Sequence, residues 1–293
     1  MFYLLNKPSW ISSFWEISKL RKLLNIKKVW HTWTLDPLAT WLLLVATWNS
    51  TKLIPYLEKS QKTYEFTFNL DWFTETWDLW SEIHFLPKEL IDSNKGKITP
   101  EGIEEILKKD FSWKITQIPP KYSAISIDWQ RAYNLARNWK EVIIPSRTIE
   151  IFEYTLLDFN FPSVTISMTV SAWTYIRTIA EDIWKKFWLN AYTINLHRSK
   201  ISNLDESMSF KLADIRNHEE MKKFELSYDY LFSDFWEIIL KDNEITKILK
   251  WYILKNEYWL NEWQKYFIKD ERWDYVSLVE VKNNELVILS NRI

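Results

Sequence analysis

KKVWHTWTLDPLATWLLLVATW, residues 27–48, decides how the rest of the chain is read. In it Asp36 stands directly before Pro37, with His31 upstream and the apolar run Leu42–Thr47 downstream. The proline fixes its own φ and lacks a backbone donor, and the residue before it is biased away from helix. These constraints place the Asp36 carboxylate on a tight turn that feeds a short buried strand. An isolated Asp-Pro pair is most often a surface turn. A carboxylate held on a rigid element also suits a covalent nucleophile, and the surrounding segments favour that second reading.

Upstream, Ser13 and Glu16 have capping-box spacing. Phe14, Ile17, Leu20 and Leu24 then recur at helical intervals. The other face of that helix and the segment after it carry Lys19, Arg21, Lys22, Lys27 and Lys28, with no acid between Glu16 and Asp36. Such a cluster is either a solvated face or a set of phosphate-positioning groups. Downstream, Ser50–Leu57 reads as a short helix, and Lys62–Leu70 as a half-buried strand with Tyr64, Phe66, Phe68 and Leu70 on one side. Thr99-Pro100 opens a helix running to about Lys109. A strand, the pair Asp128-Trp129, and a helix over Arg131–Arg137 follow. Val164–Ser171 alternates strictly, with Val164, Ile166, Met168 and Val170 inward, and leads into a helix carrying Arg177. Leu204–Asp234 reads as a helical linker; beyond Glu237 come short alternating segments.

The central stretch resembles the signature of the TruB family of tRNA pseudouridine synthases, K-x-G-H-x-G-T-L-D-P-x-A-x-G-x-L. The likeness continues elsewhere. Asn6–Ser13 resembles K-P-x-G-x-T-S, and Lys62–Tyr64 matches K-x-Y. Thr74–Trp80 resembles T-D-T-x-D-x-E-G, and the segment from Phe111 resembles F-x-G-x-I-x-Q-x-P-P-x-Y-S-A. Trp173–Ile179 resembles G-T-Y-I-R-T-L. Leu196–Ser199 stands where the family has L-R-R-T, with His197 a departure. The resemblance implies an α+β pseudouridine synthase fold, a central, mainly antiparallel sheet flanked by helices over residues 1–235. A small β-rich, PUA-like RNA-binding domain is expected over 236–293.

It also implies a function, the isomerisation of uridine to pseudouridine in the T-arm loop of tRNA (position 55 in tRNA convention). That reaction breaks the N-glycosidic bond, rotates the base and rejoins it through C5, on a nucleotide taken out of its stack. It calls for no cofactor and no metal. By resemblance Asp36 is the nucleophile, Arg177 its partner, and Tyr64 the ring that stacks on the uracil and takes the C5 proton. His31 would fill the space the extruded base leaves, while Tyr175 and Leu196 complete the pocket. Lys7, Lys19, Arg21, Lys22, Lys27 and Lys28 would hold the RNA backbone. The competing expectation is a non-catalytic tRNA-binding protein that aids tRNA folding on the same scaffold.

Composition narrows the classes further. The 293 residues contain no cysteine, which excludes disulfides and thiolate metal sites, and only four scattered histidines. A net charge of −1 is not that of a globally basic nucleic-acid binder, so any RNA face must be local. Neither a signal peptide nor an apolar run long enough to span a bilayer is evident. The expectation is a cytoplasmic protein, off the membrane, that acts as a monomer without a protein partner.

Glycine is the anomaly. Ordinary usage of ~7% predicts about 20 glycines, whereas the chain has 2 glycines and 20 tryptophans. Thirteen tryptophans stand where the family pattern has glycine: Trp10, Trp30, Trp33, Trp41, Trp48, Trp80, Trp113, Trp129, Trp139, Trp173, Trp184, Trp188 and Trp251. Local chemistry independently wants glycine at several of them. Asp128-Trp129 occupies a hairpin-turn position, and Asn138-Trp139 ends a helix. Random drift would scatter replacements over many residue types, so a single-valued replacement points to the codon. The expectation is a gene in which UGA specifies glycine, read with UGA as tryptophan.

Overall fold

The computed structural model describes residues 1–96, 98–123, 126–127, 130–131, 144–187 and 190–293, with backbone alone at 94–95, 126–127 and 130–131. Eighteen strands and eight α-helices follow one another among these residues. The first part of the chain gives β1 (Phe2–Lys7), α1 (Ser13–Leu24), β2 (Val29–His31), β3 (Thr40–Thr47), α2 (Ile54–Leu57) and β4 (Lys62–Asn69). Next come β5 (Trp72–Thr74), β6 (Ile83–Phe85), α3 (Lys88–Lys95), α4 (Pro100–Asp110) and β7 (Trp113–Gln117). The two-residue strands β8 (Ser126–Ile127) and β9 (Gln130–Arg131) precede the long hairpin β10 (Arg147–Asn160) and β11 (Ser163–Val170). Then follow α5 (Ile176–Lys185), β12 (Tyr192–Ile201), α6 (His218–Lys222), β13 (Glu225–Leu226) and α7 (Tyr228–Leu231). The last part holds β14 (Trp236–Ile239), α8 (Asp242–Leu249), β15 (Leu254–Lys255), β16 (Lys265–Lys269), β17 (Tyr275–Lys282) and β18 (Glu285–Asn291).

Nine strands form one sheet in the order β13-β1-β3-β12-β4-β11-β10-β7, with β2 added beside β3. Within it only β3 and β12 run parallel, so the sheet is mainly antiparallel, as the resemblance implies. Alternation along β4 and β11 works as its pattern predicts. Tyr64, Phe66, Phe68 and Leu70 meet Val164, Ile166, Met168 and Val170 on one face, under Ile103 and Leu107 of α4 and Ile179 and Ile183 of α5. The opposite face of the pair is polar, and Thr63–Thr169 and Thr67–Thr165 form hydroxyl pairs at 2.9 and 3.0 Å across it. On the other half of the sheet both faces are covered. Tyr3, Leu5, Leu43 and Val45 pack on Ile17 and Leu20 of α1. Phe2, Leu4, Leu42 and Leu44 turn the other way.

Residues 204–234 correct the expected helical linker. They form 3₁₀ turns, two short helices and β13, which pairs with the edge of β1. Phe210 and Leu212 have no helical spacing to Met221 and Leu226; all four serve as plugs along the β1–α1 region, and β13 covers an edge that would otherwise stay unpaired. A second sheet of five strands, β14-β16-β17-β18-β15, starts at Trp236. Its Phe267 and Leu278 join a core shared with Phe2, Leu4 and Phe232. Helix α8 interrupts the alternating segments expected there. No helix among the described residues is long and apolar enough to cross a membrane.

The tryptophans leave a backbone signature. Sixteen described non-glycine residues have positive φ, and eleven of them are Trp10, Trp33, Trp41, Trp48, Trp77, Trp113, Trp173, Trp251, Trp259, Trp263 and Trp273, with φ from 47° to 71°. That region is ordinary for glycine and strained for a residue with a Cβ. Seven of the thirteen motif positions are in this set, and Trp30, Trp80 and Trp184 are not. Trp129, Trp139 and Trp188, with the turn and helix expected around 128–139, lie outside the described residues. Trp184 differs in kind: it is a helical residue wholly buried against Phe68 and Phe187.

Candidate active site

Asp36 lies on the loop between β2 and β3, and its neighbours are clamped from the N-terminal segment. The Leu35 N–H donates to Ser13 Oγ at 3.0 Å. Pro37 O accepts the Trp10 N–H at 2.7 Å and Lys7 Nζ at 3.3 Å. Ser9 Oγ donates to Leu38 O at 3.0 Å, and the Ala39 N–H closes a turn on Asp36 O at 3.0 Å. The proline has no donor of its own, so its carbonyl becomes the anchor. These bonds fix the backbone on both sides of the carboxylate and leave its side chain about one-third exposed.

Arg177 comes from the first turn of α5, 141 residues away, and meets that carboxylate side-on. Nε donates to Oδ2 at 2.8 Å and Nη2 to Oδ1 at 3.0 Å, a bidentate pair. The guanidinium is buried, and its remaining donors reach Thr76 O and Tyr122 O. A second carboxylate, Asp78, lies 3.4 Å from Nη1. Burial disfavours the Arg177 charge, but Asp36 and Asp78 outweigh it and raise its pKa. Burial pushes the Asp78 carboxyl upward against the pull of Arg177, the Thr76 hydroxyl at 2.6 Å and the Trp80 N–H at 2.9 Å. The start of α5 is itself positioned from β7. Gln117 donates to Tyr175 O at 3.0 Å and accepts the Tyr175 N–H at 2.8 Å.

A cavity of about 290 Å³ brings together His31, Asp36, Tyr64, Tyr175 and Leu196. A second, of about 480 Å³, opens on the other side of Asp36 and is lined by Tyr175, Arg177, Asp78 and Tyr122. Asp36 thus stands where the two meet. The Tyr64 ring is nearly buried on β4, with Arg198 of β12 directly opposite in register. Burial, then Arg198 and Arg21, lower the His31 pKa to about 4, so its ring is neutral near pH 7. His31 Nε2 meets the Thr34 hydroxyl at 3.0 Å. Burial raises the Tyr175 phenol, which keeps it protonated as a donor.

Not every expected residue reaches the site's surface. Lys7 is wholly buried and donates to Pro8 O at 2.9 Å, Ile11 O at 2.7 Å and Pro37 O, which corrects its assignment to an RNA backbone. Its place as a loop anchor follows from those carbonyls. Lys19 pairs with the buried Glu16 at 3.2 Å, and Arg21 donates to Val29 O at 2.9 Å, tying α1 to β2. Lys22, Lys27 and Lys28 are exposed. Asp78 and Gln117, with Lys62 and Arg198 on the cavity wall, are site residues that sequence reasoning passed over, although all four fall inside the motif segments quoted for the family. Two tryptophans crowd the neighbourhood: the Trp33 indole covers the ammonium of Lys62 at 3.7 Å, and the Trp41 ring lies 3.6 Å from that of His197. Aromatic pairs ordinarily keep centroids about 4.5–7 Å apart. Among the described residues no group of three or more His, Cys, Asp or Glu side chains could hold a metal ion.

Known proteins resemble this chain in sequence and in fold. A model of the TruB family pseudouridylate synthase N-terminal domain matches residues 21–176. The tRNA pseudouridine synthase B of Clostridium tetani is 34% identical over 244 residues, 83% of this chain and 81% of that one. That of Syntrophomonas wolfei is 34% identical over 255 residues, 85% and 82% of the two chains. Among solved structures, a chain of a Cbf5-Nop10-Gar1 complex superposes with a TM-score of 0.67 at 18% identity, covering 99% of this chain and 85% of that one. A chain of an archaeal box H/ACA sRNP Nop10-Cbf5 complex gives 0.68 at 15% identity, covering 100% and 85%. At those identities the two structures show the fold alone.

Proposed function

The chain belongs to the TruB family of pseudouridylate synthases, and on that footing we propose that it isomerises uridine to pseudouridine in tRNA, at position 55 of the T-arm loop. The observation that carries the reading is the bidentate Asp36–Arg177 pair, whose carboxylate lines a cavity shared with Tyr64. Asp36 is the nucleophile, presented by a loop clamped on both sides. Arg177 orients it, with Asp78 behind the guanidinium as a positioning residue. Tyr64 stacks on the extruded uracil and takes the C5 proton; Tyr175 and Leu196 close the pocket against water. Neutral His31 occupies the space the base vacates, and Lys22, Lys27 and Lys28 carry the local positive charge that a phosphate backbone needs.

The same proposal holds that the active chain has glycine at the tryptophans with left-handed backbone. Intact mass of the protein from its native host checks this directly, because full tryptophan content would end the codon reading. Activity is tested by incubating the glycine-restored chain with unmodified tRNA and mapping pseudouridine chemically. Product in the T-arm loop, lost in Asp36→Asn, is the expected result; product only elsewhere overturns the site assignment. The Trp33 indole, which takes up space on the wall of the Tyr64 cavity, favours the non-catalytic tRNA-binding reading for the chain as written. Binding without product from either chain would establish that reading instead.

A further inference from the structure

Two buried cations on the cavity wall have no role in the chemistry above. Lys62 is 3% exposed and Arg198 1% exposed. Lys62 sits two residues before Tyr64 on the same face of β4, and Arg198 lies across from Tyr64 on β12. Both therefore flank the ring that receives the base, and both line its cavity. Neither forms an ion pair among the described residues. Lys62 Nζ donates to Glu58 O at 3.1 Å and to Ser60 O, which uses two of its three protons. Arg198 donates chiefly to Leu42 O, through Nε at 2.9 Å and through Nη2. Backbone carbonyls thus satisfy much of their hydrogen bonding but supply no countercharge.

Burying a charge without a countercharge is costly, and two of one sign side by side compound the cost. Burial, then the neighbouring Arg198, pulls the Lys62 ammonium down to about 6 against the weaker opposing pull of Glu58, so an anion seated here would restore the charge that the free site disfavours. What faces them instead is the Trp33 indole. Its centroid lies 3.7 Å from Lys62 Nζ and 6.0 Å from the Arg198 guanidinium carbon, so the ring fills a space that both cations reach. Trp33 has a φ of 48°, one of the positions where the backbone suits glycine.

We infer that Lys62 and Arg198 form a subsite for the phosphodiester adjoining the flipped nucleotide, covered by the indole in this chain and open when residue 33 is glycine. The inference rests on the proposed function, because the nucleotide whose base stacks on Tyr64 brings this phosphate. The exposed lysines Lys22, Lys27 and Lys28 would track the strand outside; this pair would grip it at the reacting residue.

The test uses the full chain carrying Trp33→Gly and a T-arm stem-loop RNA. Single phosphates around the target uridine are replaced in turn by neutral methylphosphonates, with 2′-O-methyl on the sugar 5′ of each linkage for stability and the matching 2′-O-methyl phosphate RNA as control. One linkage flanking the target should cost at least about tenfold in binding. In Lys62→Met the same replacement should cost less than about twofold, and Lys62→Arg should restore the sensitivity. In the chain that keeps Trp33 the sensitivity should be absent. If neither flanking linkage matters in the Trp33→Gly chain, the inference fails without any further variant. An equal loss with Lys62 intact and with Lys62→Met also overturns it, and Lys62→Gln serves should Lys62→Met not fold. Pseudouridine formed normally with no phosphate coupling sinks this subsite alone, whereas an RNA neither bound nor modified sinks the proposed function with it.

Discussion

Restoring glycine at the eleven tryptophans with left-handed backbone should convert an unstable chain into a cooperative folder. Holding a residue with a Cβ in that region costs roughly 1–2 kcal/mol. Glycine gives back part of this, about 0.5–1 kcal/mol, because its unfolded chain has more freedom to lose. The net gain is about 0.5–1 kcal/mol per site, and eleven sites sum to about 5–11 kcal/mol, against a whole stability of about 5–15 kcal/mol for a native protein. Most of the eleven forfeit little apolar burial, since Trp113 is 71% exposed, Trp259 95%, Trp263 67% and Trp273 64%, whereas Trp33, Trp41 and Trp77 are half-buried and set the low end of the gain. The assay is differential scanning calorimetry, which reads the unfolding midpoint from heat uptake rather than from the tryptophans that differ between the two chains. At about 2–4 °C per kcal/mol for a large domain, the glycine chain should melt at least about 10 °C higher. Equal midpoints within about 2 °C would refute the reasoning, because the indoles would then be at ease where the backbone argument says they are not.

Four further outcomes follow from the site. Asp36→Asn in the glycine-restored chain should abolish pseudouridine formation and also lower the melting temperature, because it leaves Asp78 as the remaining countercharge of the buried Arg177 guanidinium; product formation by the variant would exclude Asp36 as nucleophile. Asp78→Asn should lower kcat more than it changes KM. Weakening a charge-assisted contact of about 1.5–3 kcal/mol is roughly 10–100-fold in rate, and an unchanged kcat would mean that Asp78 does not position Arg177. The folded pKa values of His31 and His197 are both lowered to about 4, by burial first in each case. The folded state then binds fewer protons than the unfolded state between about 4 and 6.5, so stability should rise with pH across that window and fall as pH drops through it. Denaturant midpoints should show a shallower slope in the double variant His31→Gln, His197→Gln; an identical slope would place the pH dependence elsewhere. Lys7→Met should remove the bond to Pro37 O together with those to Pro8 O and Ile11 O, destabilising the chain through three buried carbonyls. Melting unchanged in that variant would show that the loop does not depend on it.

What the sequence disclosed, it disclosed where periodicity and burial agree. β4 and β11 alternate cleanly because one face meets α4 and α5 and the other carries threonine pairs, so their pattern survives folding. The Asp36 turn was legible from proline chemistry, and a helix carrying Arg177 was expected after the Val164–Ser171 strand. Their meeting was not: 141 residues separate them, and the pairing was available only through the resemblance. Residues 204–234 misled because their apolar residues follow the contour of a neighbouring strand rather than a period of their own. Lys7 misled for a related reason. A lysine is ordinarily a surface residue, and nothing local signals that three carbonyls will converge on this one.

The same convergence explains why the carboxylate and guanidinium need so much of the chain to hold them. Asp36 sits on a loop, which by itself is the least rigid place for a nucleophile. Three bonds from the 9–13 segment and one from Lys7 make that loop an extension of β1 and α1. Arg177 sits on a helix whose first turn is held by Gln117 from β7, at the far end of the same sheet. The nine-stranded sheet is therefore what sets the distance between the two groups, and its interior half, β12-β4-β11, supplies the pocket wall on which Tyr64 and Leu196 stand. A perturbation at either edge of the sheet, near β1 or near β7, should reach the ion pair before it reaches the pocket wall. Gln117→Leu, which keeps the volume but drops both bonds to Tyr175, tests that order. It should lower kcat with substrate binding retained, and loss of binding with kcat intact would reverse the argument.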